Sequence, residues 1–411
     1  MSLQNIAGQF AAHVGELRAK GAAKGQEKII TGVKAADAGL SERYYLEGYG
    51  DRAFLRMNSN SYLGLSFHRR VIEAEEKAAE QFGAGPGAVR FISGTYLPHV
   101  ALEKALASFH GRESAMVMSA AYATVMGVLP QLVTDATLVI SDALNHNSII
   151  NAIRLSPTTN KAVYAHVDMT ALEKILDANK GRVKRVCVVT DGIFSMRGDH
   201  APLQELVALC KTYDADYEEG VITIVDDSHG VGALGSTGRG TEEYTNAQAD
   251  VVIATLGKAL GVNGGYVVSA APVIAYLREA APFYIYSNPI TPAEAAAALE
   301  ALRILDSGEG RALLTRVRNL GKQLRTALQE LGYETIMGEH PIVPLLIRDT
   351  EKTAALVAYL FEHNILATGL NYPVVPKGDE EIRLQVSASQ TEQDIEYLIE
   401  TLKKFDTLQK K

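Results

Sequence analysis

The chain has 411 residues, 47% of them hydrophobic and 21% charged, and a net charge of −8. That length supports two or three domains with sizeable cores, and the mild negative balance, without a Lys/Arg stripe, argues against nucleic acid as a partner. With two cysteines, Cys187 and Cys210, a disulfide framework is not expected and a reducing, cytoplasmic setting is. The first residues lack a basic stretch followed by an apolar one, and every apolar run is interrupted before spanning length, so no membrane span is expected.

In chain order, Ile6, Phe10, Val14 and Leu17 recur at helical spacing and predict an opening amphipathic helix. Residues 21–50 read as an irregular arm rich in Gly, Lys and Tyr. Helices are expected from about His68 to Phe82 and from near His99, separated by the breaker cluster Gly83 to Gly87. Short apolar runs then predict strands at Ala115–Met118, Leu138–Ser141, Ala162–His166, Arg185–Thr190, Val221–Val225, Val251–Ala254 and Gly265–Ser269. Between them fall helical patterns at Ala121–Leu132, Thr170–Ala178, Leu203–Tyr213 and Val273–Ala280. Such alternation implies an α/β fold with a mostly parallel sheet covered on both faces. The Ala-rich run Thr291–Leu305 reads as a long helix leading to a smaller α+β unit around Val343–Ile347 and Ile382–Val386. The expected division is an N-terminal helix and arm over 1–56, a large domain over 57–290 and a small domain over 291–411.

The stretch Val221 to Leu260 concentrates the chemistry. One β-branched run ends in Asp226 with His229 three residues on; a second ends in Thr255 and Lys258. Two buried strands would bring an acid, an imidazole, a hydroxyl and an amine to one end of a sheet, where open α/β folds carry their sites. Taken singly, each residue is as well explained as a helix cap or a solvated side chain. Together they suit a cofactor with a basic ring nitrogen, a phenolic oxygen, an aldehyde and a phosphate, which is pyridoxal 5′-phosphate (PLP). Gly230 to Gly235 matches G-x-G-x-x-G, but no apolar helix opens at the third glycine and no acidic strand end follows, so it reads as a loop. No metal is called for.

The motifs N-x-Y-L-G-L (Asn60–Leu65), S-D-A-L-N-H-x-S-I-I (Ser141–Ile150), T-D-G-x-F-S-M-x-G (Thr190–Gly198), D-D-S-H-x-V-G, T-L-G-K-A-L-G and Y-P-V-V-P-K-G (Tyr372–Gly378) occur in that order. In this the chain resembles the PLP-dependent α-oxoamine synthases, which join an amino acid to an acyl-CoA thioester. R-F-I-S-G-T (Arg90–Thr95), I-S-D-A-L-N-H and Y-P-V-V-P-K-G are most similar to the glycine C-acetyltransferase branch. The resemblance implies PLP fold type I, the aspartate-aminotransferase-like fold, and a homodimer with a shared active site. By the same resemblance Lys258 matches the lysine that condenses with the cofactor aldehyde, Asp226 the partner of its ring nitrogen, and His146 the imidazole stacked on the ring. His229 and Ser195 match groups near the phenolic oxygen. Tyr122 and Ala123 match backbone donors to the phosphate, Thr255 a phosphate contact, and Ser287 a phosphate contact supplied by the neighbouring subunit. Arg383 matches the arginine that grips the substrate carboxylate, and Asn60 a side chain beside that substrate.

The chain also departs from the family pattern. Its phosphate turn reads Ser119-Ala-Ala-Tyr122-Ala123-Thr124, with the aromatic moved one place; Gln390 replaces a histidine, and Ala88 stands where many relatives carry Ser. Asp214–Gly220 is longer than the usual helix-to-strand link and reads as a surface insertion. The first two changes bear on acyl and amino-acid specificity. The implied activity is condensation of glycine with acetyl-CoA. Alternatives are another oxoamine synthase using L-alanine or L-serine with a longer acyl-CoA, a simple aminotransferase, a nicotinamide enzyme built on Gly230–Gly235, and a non-catalytic binding protein.

Overall fold

The computed structural model describes residues 2–19, 23, 27–372 and 375–409. Pro373 and Val374 of the Tyr372–Gly378 motif therefore lie outside the described residues. The chain forms two compact units, one of Asn60–Gly321 with Met337–Pro341, the other of Met1–Ser59, Lys322–Ile336 and Ile342–Lys411.

The larger unit is built on seven strands: β1 (Ser114–Met118), β2 (Thr137–Asp142), β3 (Lys161–Tyr164), β4 (Arg185–Asp191), β5 (Val221–Asp226), β6 (Val251–Thr255) and β7 (Gly265–Ser269). Their order is β1-β7-β6-β5-β4-β2-β3. Neighbours from β6 to β3 are parallel, and β7 runs antiparallel to both β6 and β1. All seven expected strands form. β2 and β7 are buried at every residue, which is why they read as continuous apolar runs and not as alternation. Strand β3 stops at Tyr164, two residues short of the expected end, and His166 joins a cluster of side chains described below.

The core beneath one face gathers Met116, Met118, Val189, Ile224, Ile253 and Val267 against helix residues such as Val125, Ile149 and Ile274. Each such side chain contributes about 1.5–3 kcal/mol relative to exposure. Helix Pro292–Leu305 starts on a capping box between Thr291 and Glu294, with Pro292 at its first turn. Its alanines, Ala295, Ala297, Ala298 and Ala301 among them, are buried, and it packs on helices Arg69–Phe82 and Leu97–Phe109. Small side chains let the backbones approach. This helix was expected to open the small domain, but its contacts keep it in the larger unit, and the division at 321/322 falls inside helix Gly308–Glu330.

In the other unit a four-stranded antiparallel sheet takes the order Glu334–Thr335, Ile342–Leu346, Glu381–Gln385, Thr368–Leu370. The arm expected to be irregular contains a hairpin, Ile30–Lys34 against Arg43–Leu46. Asp394, fully buried, accepts from Ser41 N (3.1 Å) and pairs with Arg43, tying that hairpin to the last helix. Gln390, the residue in place of a histidine, donates through its amide to the Arg56 carbonyl oxygen (3.1 Å) and accepts from Ser387 N (3.1 Å). The opening helix is present as Ser2–Ala19, with Ile6, Phe10 and Val14 exposed. Asp214–Gly220 lies mostly at the surface, held by buried Tyr217, whose hydroxyl donates to the Leu176 carbonyl. No helix among the described residues is long and apolar enough to cross a membrane.

Glu103 is the most heavily used buried carboxylate of the scaffold. It takes a two-pronged contact from Arg90 (3.1 and 3.2 Å), a third from Arg278 (2.8 Å) and the N–H of Val117 in β1 (3.0 Å). Arg90 is 4% exposed, so removing its partner strands a buried cation. Glu103→Ala is expected to cost about 3–5 kcal/mol in chemical denaturation, while Glu103→Gln costs less because the amide still accepts from Val117.

Candidate active site

Parallel pairing sets the site. Asp191 and Asp226 end β4 and β5 in register, as direct Cα partners. β6 ends beside them at Thr255, and the chain then turns through a tight loop back into β7. Leu256 N donates to Gly264 O (2.9 Å), Val262 N to Leu256 O (3.0 Å) and Gly261 N to Lys258 O (3.0 Å). Thr255 Oγ1 accepts from Gly257 N (3.0 Å) and donates to Gly264 O (3.2 Å). Lys258 is thus carried on a loop clamped at both ends by sheet strands.

A cavity of about 280 Å³ opens at these strand ends. Lys258, Asp226, His229, His146, Ser195, Thr255 and Tyr122 line it, so seven of the expected site residues meet in one place. Ala123 adjoins Tyr122 but is absent from the lining. Asn60 places its Oδ1 3.3 Å from the Tyr62 hydroxyl. Ser287 lies outside the lining, after the turn Pro282–Ile285. Arg383 stands on strand Glu381–Gln385 of the other unit. The Gly230–Gly235 segment is a loop with no helix at its third glycine, as expected.

His146 caps helix Asn147–Leu155, an element not anticipated from its polar start. Its Nδ1 accepts from Ser148 N (3.2 Å) and lies 2.7 Å from Ser148 Oγ, while the backbone N–H of His146 donates to Asp191 Oδ2 (2.8 Å). Burial holds its pKa below the ordinary imidazole value, with Asp226 opposing and Lys258 reinforcing. A neutral ring results at neutral pH. Tyr122 meets it edge-on at 6.2 Å between centroids, and the Tyr122 hydroxyl donates to Asn147 Oδ1 (2.9 Å) and accepts from Asn151 Nδ2 (2.7 Å). The displaced aromatic is therefore anchored to the helix that His146 caps.

Tyr122 and Ala123 occupy the first turn of helix Ala121–Val128, whose internal ladder begins with Thr124 N to Ala120 O (2.9 Å). The preceding N–H groups are the ones a helix leaves without internal acceptors. Gly265 permits this placement, because a Cβ there would sit 2.3 Å from Ala121 N.

Sequence reasoning missed four neighbours. Asp191 lines the cavity and is wholly buried; burial, then the charge of Asp226, pushes its pKa well up. Ser228 lines it with a buried Oγ that has no hydrogen-bond partner among the described residues. Asp227 faces away, taking Thr241 N (2.7 Å) and Thr241 Oγ1 (2.6 Å), and burial raises its pKa to about 7. Tyr62, fully buried, holds its hydroxyl 2.7 Å from His229 Nδ1. Each sits inside a quoted motif, but its role depends on pairings distant in sequence.

Ser195 sits in a loop fastened by His166, whose Nδ1 lies 3.0 Å from Asp142 Oδ1 and whose Nε2 lies 3.4 Å from Asp199 Oδ2. The ring stands edge-on to Phe194 at 4.3 Å, next to Ser195.

The aminotransferase class I and II family matches residues 52–402. The chain is 35% identical over 397 residues to an 8-amino-7-oxononanoate synthase of Thermosipho melanesiensis, covering 96% of each. It is 37% identical over 386 residues to the human mitochondrial 2-amino-3-ketobutyrate coenzyme A ligase, covering 91% of this chain and 90% of the relative. The chain belongs to the PLP-dependent α-oxoamine synthases. The fold of this synthase superposes on a serine palmitoyltransferase of Sphingomonas wittichii with a TM-score of 0.86 at 27% identity, covering 96% of this chain and 95% of that one.

The residues present fit PLP. The cavity offers an amine, a buried acid at its floor, a neutral imidazole, unpaired amide donors at a helix start, and the orphaned Ser228 hydroxyl. That donor set suits a planar ring carrying an aldehyde and a phosphate.

Two outcomes follow from this geometry. Gly265→Ala forces the helix start off β7 and is expected to weaken PLP binding about ten-fold in equilibrium titration. Burial alone would lower the His166 pKa, but Asp142 and Asp199 raise it to about 9. Its stabilising pairing is therefore complete below the unfolded value of about 6.5 and is lost as pH rises through about 9. The melting temperature of His166→Gln should fall below the parent's at pH 6 and converge with it by pH 10.

Proposed function

We propose that this synthase condenses glycine with acetyl-CoA, releasing CoA and a 2-amino-3-keto acid. The observation that carries the reading is the wording of three segments, Arg90–Thr95, Ile140–His146 and Tyr372–Gly378. The similarity to the human 2-amino-3-ketobutyrate coenzyme A ligase supports it.

PLP supplies an electron sink for negative charge developing at the substrate Cα. In this reading Lys258 Nζ would hold the cofactor and would serve as the base for the substrate Cα proton. Asp226 would pair with the ring nitrogen, a buried carboxylate favouring its protonated form. His146 would contact the ring, and His229 and Ser195 would donate to the phenolic oxygen. Backbone N–H groups of Tyr122 and Ala123, with the Thr255 hydroxyl and Ser287 of the partner subunit, hold the phosphate. Asn60 and Arg383 orient the substrate, the guanidinium taking its carboxylate in a two-pronged contact. The Cα would then attack the thioester carbonyl carbon, the C–S bond would break, and CoA would leave as the thiolate, which takes up the proton that Lys258 removed. Because Ser287 serves the neighbouring site, the homodimer is the working form.

A second reading, L-alanine or L-serine with a longer acyl-CoA and loss of the carboxylate as CO₂, is favoured by the similarity to 8-amino-7-oxononanoate synthase and serine palmitoyltransferase. The deciding measurement is thiol release across glycine, L-alanine and L-serine paired with acetyl-, pimeloyl- and long-chain acyl-CoA. Release confined to glycine with acetyl-CoA supports the first reading; release with alanine or serine and longer chains replaces it by the second. Lys258→Ala is expected to lower release about 100- to 10,000-fold with the productive pair, and full turnover in that variant would overturn the mechanism.

A further inference from the structure

His229 is held from two sides. Its carbonyl oxygen accepts from His340 Nε2 (2.8 Å), and its Nδ1 lies 2.7 Å from the hydroxyl of Tyr62. Tyr62 is fully buried and its ring meets His340 edge-on at 5.2 Å. The hydroxyl has one hydrogen and lies 2.7 Å from His229 Nδ1 and 3.3 Å from Asn60 Oδ1. Only the first distance falls in the range of a good hydroxyl hydrogen bond.

We propose that Tyr62 is a positioning residue that donates to His229 Nδ1 and so fixes the tautomer with hydrogen on Nε2. The inference rests on the reading that His229 serves the phenolic oxygen of PLP, since an anionic oxygen requires a donor. The opposite tautomer would spend its only N–H on Tyr62 and turn a lone pair toward the cofactor. Neutral imidazole gives both tautomers similar weight in water, so a buried partner on one nitrogen decides between them. The charged and titratable groups around this ring are Asp226, Asp191, His146 and Lys258 in the cavity, with Tyr62 and His340 behind it.

The first test is ¹⁵N NMR of histidine-labelled, PLP-loaded protein, with the His229 signal assigned by its loss in His229→Asn. A protonated Nε2 and bare Nδ1 are expected; a protonated Nδ1 overturns the proposal. The second is a pH titration of the bound cofactor's visible band. A hydrogen bond to the phenolic oxygen stabilises its anion and weakens its hold on the neighbouring proton, so losing the fixed donor should raise the midpoint. Tyr62→Phe is expected to shift it up by about half a unit to one unit. His229→Asn should shift it in the same direction, and the double variant should add little to His229→Asn alone. An unchanged midpoint in folded Tyr62→Phe, or additive shifts, overturns the proposal. If Tyr62→Phe does not fold, the wild-type NMR result still decides. Absence of a cofactor band in the parent protein would instead overturn the PLP reading of the site, while the tautomer would remain measurable without cofactor.

Discussion

Asp191 and Asp226 end neighbouring parallel strands in register, so two carboxyl groups share one edge of a sheet whose interior is Val and Ile. Two carboxyl groups buried side by side cannot both keep a charge cheaply, which is why the Asp191 pKa is pushed well up and why donors and a cation gather around the pair. Much of the surrounding architecture supplies that compensation. Asp191 takes the His146 N–H, Asp226 takes the Ser228 N–H (3.1 Å), and Lys258 is delivered by the next loop. In the proposed reading a protonated cofactor ring would complete the balance. The site is therefore an electrostatic necessity of this sheet edge as much as a catalytic device.

Rigidity around that edge comes from short-range bonds at each loop. Asp227 turns away and locks onto Thr241, Thr255 knots the lysine loop, and His166 fastens the segment that carries Ser195. Tyr62 and His340 brace His229 from behind. Side chains that line the cavity are thus held by residues behind them, which is what a site on loops requires to keep its geometry.

The strands were legible because each is a β-branched run bounded by turn residues, and the cluster that lines the cavity because much of it falls at the ends of two of them. Lys258, Asp226 and His229 lie close in sequence, so their convergence could be read from spacing. Asp191 and Tyr62 could not be read that way: each was visible within a motif, but its partner lies across the sheet or 167 residues along the chain. Helix Asn147–Leu155 escaped notice because it opens with Asn and Ser and is capped by a histidine, a residue with weak local preference. Helix Pro292–Leu305 was read correctly as a helix, but which unit it joins is decided by buried alanines packing on two other helices, and periodicity carries no such information.

The strand order also sets a schedule. β1 is an edge strand whose sheet partner is β7, and β7 lies about 150 residues further along the chain. During synthesis β1 emerges early but cannot take its place until Gly265–Ser269 has left the ribosome. Helix Ala121–Val128, which follows β1, waits with it. The amide-lined end of the site is thus assembled last, although its residues are made first. A chain interrupted between Lys258 and β7 would possess the amine, the acid and both imidazoles yet lack the strand against which the helix start at Ala121 packs.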